Sequence, residues 1–132
     1  MEILTRTSKS VVKKDEKSRI TATICDEEII FSGKALREFN IKPGTRLVFV
    51  IDVGRLYFYL AKKDSDEGFE LKEQINKEGY KYGRIQGVRL IRVLRERFPS
   101  LKAKSNRKHI VRFSNTQINE CLTFEILVDK RL

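Results

Sequence analysis

The chain has 132 residues, 40% of them apolar and 35% charged, and 28 basic against 18 acidic side chains give it a formal net charge of +10. That length suits one ordinary domain. No run of about 18 apolar residues exists to span a bilayer, and the polar start Met1–Thr7 lacks a secretory apolar core, so the expected location is the cytoplasm.

Residues 1–17 are dominated by Ser, Thr and Lys and read as a flexible N-terminal arm; residues 18–132 read as a single α+β domain, mainly β. Ile20, Ala22 and Ile24 alternate with Thr21 and Thr23, which predicts a strand. After the polar turn Asp26-Glu27-Glu28, Ile29–Phe31 is a second short strand. Ser32 suits the N-cap of a helix over 33–39 that gathers Ala35, Leu36 and Phe39 on one face. Asn40 and Lys42-Pro43-Gly44-Thr45 end it with turn chemistry. Arg46–Ile51 and Arg55–Leu60 form a hairpin around Asp52-Val53-Gly54. Lys62–Gly68 is a charged turn, Phe69–Leu71 a short strand and 72–79 a polar loop. Tyr80–Ile85 is again a strand, and Gly87 opens a helix over 88–98 with the apolar stripe Leu90, Ile91, Leu94 and Phe98. Ser100–Lys108 is a basic loop, followed by strands at His109–Phe113 and Cys121–Val128 with a loop between them.

Each half therefore reads strand, helix, turn, strand, strand. The order suggests pseudo-repeats at 18–71 and 80–129, a degenerate tandem repeat closing into a small barrel or sheet, with Gly33 and Leu36 answered by Gly87 and Leu90. The alternative is one α+β domain with two unrelated helices.

Phe31 to Phe49, FSGKALREFNIKPGTRLVF, resembles the swapped-hairpin DNA-binding domains of the AbrB/SpoVT type, which include MazE-like antitoxins and the tandem MraZ regulators. Phe31, Phe39, Ile41, Gly44, Leu47 and Phe49 stand at the family's positions, and the match extends over about residues 20–60. The resemblance implies a transcriptional regulator that binds DNA through two interlocked units, from a homodimer or from a tandem copy in one chain. Ser32 replaces the usual proline and Leu36 stands where an arginine is frequent. The first hairpin, which faces DNA in the family, here carries Asp26, Glu27 and Glu28.

Charge directs attention to the second half instead. Between Lys81 and Arg112 lie eleven basic residues and one acid, Glu96, so this window alone is +10. Concentrated charge of one sign repels itself and calls for a polyanion. The expected nucleic-acid-binding residues are Arg84, Arg89, Arg92, Arg95, Lys102, Lys104, Arg107, Lys108 and Arg112, with Tyr80 and Tyr82 as stacking platforms. DNA is favoured over RNA as the partner. The competing readings are a Whirly-like single-strand binder and a protein-interaction module of antitoxin or mobile-element type.

Catalytic chemistry finds no support. The one histidine, His109, has no nucleophile arrangement around it and reads as a surface or rim residue. Gly79, Gly83 and Gly87 match neither a dinucleotide nor a phosphate-loop spacing. Cys25 and Cys121 stand too far apart and too alone for a metal site and read as core-filling thiols. No cofactor, metal, membrane or small-molecule substrate is expected.

Overall fold

The computed structural model describes residues 20–62, 67–101 and 107–131. The arm 1–17, most of the Lys62–Gly68 turn, and Lys102 and Lys104 lie outside the described residues. Chain order is β1 (Thr21–Ile24), β2 (Glu28–Phe31), α1 (Gly33–Glu38), β3 (Arg46–Asp52), β4 (Arg55–Leu60), β5 (Phe69–Glu70), β6 (Lys72–Ile75), β7 (Lys81–Gln86), α2 (Val88–Arg97), a 3₁₀ turn (Pro99–Leu101), β8 (Arg107–Phe113) and β9 (Thr123–Arg131). The architecture is α+β and mainly β, as the sequence predicts.

The strands form one antiparallel sheet in the order β5-β3-β4-β9-β8-β1-β2-β7-β6. Its two edge strands, β5 and β6, are neighbours in the chain, joined by Leu71 alone. One continuous segment thus pairs with β3 at its start and β7 at its end, and the sheet must curl into a nearly closed barrel. Leu71 is fully buried. Its N–H donates to Thr45 O and its carbonyl accepts from Gly44 N, both at 2.8 Å, which pins the closing segment to the Lys42–Thr45 turn.

The pairing has an internal symmetry. Exchange β1 with the β5–β6 segment, β2 with β7, β3 with β8 and β4 with β9, and every observed pair maps onto an observed pair. The pairs β2–β7 and β4–β9 map onto themselves. The halves are interlocked rather than side by side, and each completes its sheet with strands of the other.

The helix starts refine the correspondence drawn from the sequence. The N-caps are Ser32 and Gly87, which aligns Leu36 with Ile91, Lys34 with Arg89 and Arg37 with Arg92. That is one residue further along than pairing Gly33 with Gly87. Burial agrees, since Leu36 and Ile91 are both buried while Arg37 and Arg92 are both exposed. Glycine at the second cap offers no side-chain oxygen, whereas Ser32 Oγ accepts from Ala35 N (3.2 Å) and Thr21 N (3.1 Å).

The core fills the barrel interior from both halves. Phe31 meets Phe58 edge-on at 5.3 Å, Phe58 stacks on Phe124 at 5.1 Å, and Phe39 lies 4.5 Å from Phe124. Alternation along β1, β2 and β7 sends Ala22, Ile24, Ile29, Phe31, Gly83 and Ile85 inward.

Three expectations are corrected. Residues 72–75 are a strand rather than part of a loop. Their polar sequence Lys-Glu-Gln-Ile shows no apolar alternation, yet it pairs with β7 as a hairpin across the Asn76–Tyr80 turn. His109 is buried rather than at the rim, because β8 begins at Arg107 and its alternation turns His109 and Val111 inward. His109 Nδ1 lies 3.3 Å from Leu127 O. Cys25 and Cys121 are both partly exposed free thiols rather than core fillers, since each sits in a turn.

Candidate nucleic-acid interface

Eleven basic residues to one acid is a property of the segment, not of the space around it. Arg84 Nε donates to Glu28 Oε1 at 2.5 Å. Arg95 reaches Asp26 at 2.6 Å, Arg112 reaches Glu125 at 3.0 Å, and Lys81 lies 3.8 Å from Glu73. Every one of these carboxylates lies outside the 81–112 window. Three of the expected contact residues, Arg84, Arg95 and Arg112, thus have intramolecular partners. Glu125 is the most buried of the acids and also has Arg55 at 3.9 Å, so this pair lines a small cavity of about 190 Å³ between β4, β8 and β9.

Five of the remaining expected residues separate into two groups. Arg89 and Arg92 lie on the exposed face of α2. Tyr80, Tyr82 and Lys108 come together elsewhere, in an open groove of about 510 Å³ between the α1 start, the β6–β7 turn and β8. Arg107 heads β8. The structure adds Lys34 and Arg37 of α1 to the groove, which no reading of the basic window includes. Sequence offers one signal for them: once the helix caps are aligned, they stand opposite Arg89 and Arg92.

Each wall of the groove has a local cause. Gly33 begins α1 against β7, so close that a Cβ there would collide with the Lys81 carbonyl oxygen. The β6–β7 turn is tied by Asn76, whose Oδ1 accepts from Glu78 N (2.9 Å) and Tyr80 N (3.0 Å) while its own N–H donates to Tyr80 O (2.9 Å). Gly79 at φ +87° supplies the left-handed residue that this loop requires. Tyr80 and Tyr82, two apart, then share the outer face of the sheet. Lys108 pairs with Thr23, Thr23 with Ile30, and Ile30 with Arg84, so one cross-strand row leads from the groove to Arg84.

The groove is strongly positive. Lys34, Arg37, Lys81 and Lys108 face one carboxylate, Glu78. Among the described residues, Lys34, Arg37 and Lys108 have no ion-pair partner, and Lys81 leans on Glu73 with its side chain still 63% exposed. Neither tyrosine ring stacks on another ring of the described residues, and Tyr80 is 60% exposed.

The symmetry predicts a second corner like this one, where α2 meets the β1–β2 turn. That turn carries Asp26, Glu27 and Glu28 in place of the tyrosines, and Asp26 engages Arg95. Cys25 lies in the same turn, and its thiol is pushed above its ordinary range by burial first, then by Glu28 and Asp26, with Arg95 pulling the other way.

Among the described residues no cluster of His, Cys, Asp and Glu is arranged to hold a metal ion, and no helix is long and apolar enough to cross a membrane. No family model matches the chain, and neither curated proteins nor solved structures give a match.

Proposed function

We propose that this chain is a non-enzymatic nucleic-acid-binding protein that grips phosphate through the α1/β7/β8 groove. The observation that supports this is the convergence there of three cations without ion-pair partners, from two elements far apart in the chain, beside two unengaged tyrosine rings. Guanidinium and ammonium groups in such a setting displace the counterions of a polyphosphate and gain affinity without reading sequence. Cytoplasmic residence and a role in regulating genes go with this reading, the latter through the swapped-hairpin resemblance. Because the halves exchange strands within one chain, the reading needs no second copy. The acidic β1–β2 turn would repel phosphate, so the proposed contact surface differs from the one the resemblance implies.

Binding of labelled oligonucleotides across a salt series tests it. Affinity should fall steeply with salt, with a log–log slope of about −0.7 to −0.9 per phosphate engaged. Arg37→Glu and Lys108→Glu should each flatten the slope by about 1. Lys42→Glu, on the Pro-Gly turn and not among the groove residues, should change it little. Absence of binding near physiological salt, or an equal loss in Lys42→Glu, refutes the proposal.

A further inference from the structure

The geometry points to unpaired nucleotides, rather than a double helix, as the occupant of the groove; this inference rests on the nucleic-acid reading above. Three observations carry it. The first is size. A concavity of about 510 Å³ lies within the ~300–1,000 Å³ range of small-ligand sites. That is the scale of individual nucleotide units, whereas a whole duplex is far larger than such a concavity and would lie across its mouth.

The second is the state of the tyrosines. Tyr80 keeps 60% of its surface exposed, yet its backbone is held at both its N–H and its carbonyl by Asn76. A large ring fixed at its root and left open at its face loses little freedom when a base stacks on it. Tyr82 lies on the same face two residues on. Tyrosine recognises any base through its π-face, but only when that face has left the base stack of a duplex.

The third is the disposition of charge. Lys34 and Arg37 of α1 and Lys108 of β8 line the same groove as the rings. A strand lying in it would set its phosphates on these cations and its bases on the tyrosines. Charge without rings would serve duplex and single strand alike; rings without charge would serve a neutral aromatic ligand. Their combination selects a single-stranded oligonucleotide, DNA or RNA.

The test compares four probes of equal length at one salt concentration: single-stranded DNA, single-stranded RNA, duplex DNA, and an abasic sugar-phosphate strand. Anisotropy gives affinity. Tyrosine fluorescence gives stacking, since the chain has four tyrosines and the other two, Tyr57 and Tyr59, are buried. A single strand should bind about tenfold or more tighter than duplex or abasic strand and should quench the fluorescence. Tyr80→Ala should weaken single-strand binding by about fivefold or more and leave abasic binding unchanged, while Tyr80→Phe retains the affinity. The better of the DNA and RNA arms identifies the natural strand. Duplex or abasic strand binding as well as the single strand, with Arg37→Glu and Lys108→Glu still sensitive, overturns this inference and leaves the phosphate reading standing. Failure of all four probes to bind a folded protein overturns both.

Discussion

Replacing Val53 with asparagine should stabilise the protein. Asp52 and Arg55 are paired across the β3–β4 hairpin, which leaves Val53 and Gly54 as a two-residue turn. Their φ values are +46° and +72°, so both occupy the left-handed region, as the type I′ turn demands. An L-residue with a Cβ pays about 1–2 kcal/mol there, and valine, branched at Cβ, has no polar group to offset it. Asparagine tolerates the conformation by bonding to its own backbone. The hydrophobic loss is negligible, because Val53 is already 91% exposed. The expected gain is about 1 kcal/mol. With an unfolding entropy of roughly 2.1 cal/mol/K per residue, that is a rise in Tm of about 3–4 °C for a chain of this length. Thermal unfolding followed by circular dichroism, with urea unfolding as a check on the m value, measures it. An unchanged or lower Tm at constant m would refute the assignment of strain to this turn.

Two further predictions concern the groove and its opposite corner. Gly33→Ala should cost about 1–3 kcal/mol, because the added methyl meets the Lys81 backbone, which cannot yield. Gly83→Ala meets only the ends of the Leu71 and Leu36 side chains, at 2.8 and 2.9 Å, and should cost less than Gly33→Ala in urea unfolding; the reverse order would show that α1 is not wedged against β7. Alkylation should find Cys25 slow, with its pH–rate curve displaced to higher pH than that of an unperturbed thiol, since burial and the neighbouring carboxylates disfavour its thiolate. Peptide mapping after iodoacetamide treatment reads this directly, and a curve at or below the ordinary thiol range contradicts it.

How much of this could be read from the sequence depended on the range over which each feature is determined. The cap Ser32, the Ala35/Leu36/Phe39 face and the Val53–Gly54 hairpin are local, and periodicity and turn chemistry expose them. β6 is local too, a hairpin with β7 across Asn76–Tyr80, but Lys72, Glu73 and Gln74 offer no apolar alternation to read. The charge balance is different, because it is set across the fold. Arg84 is 56 residues from Glu28 and Arg95 is 69 from Asp26, so a sliding window counts the cations and misses their partners. Lys34 and Arg37 stand outside the basic window, and Glu38 beside them gives their own stretch a mixed charge. Tyr80, Tyr82 and Lys108 were legible as chemistry, but their meeting in one groove belongs to the topology.

The internal symmetry sharpens what the groove means. Both halves present the same corner, a helix start carrying Lys34 and Arg37 or Arg89 and Arg92 beside a hairpin turn from the other half. The helices keep their basic positions, so the difference between the corners lies in the turns. Asn76–Tyr82 brings aromatic rings and a single acid, whereas Cys25–Glu28 brings three acids and ties up Arg95. An exposed pair such as Arg95–Asp26, with side chains 30% and 68% exposed, contributes at most about 1 kcal/mol to stability. Its larger effect is electrostatic, because it cancels a cation at that corner. On the proposed reading, the two symmetry-related corners therefore differ in their openness to polyanions, and the difference rests on a few turn residues rather than on the barrel.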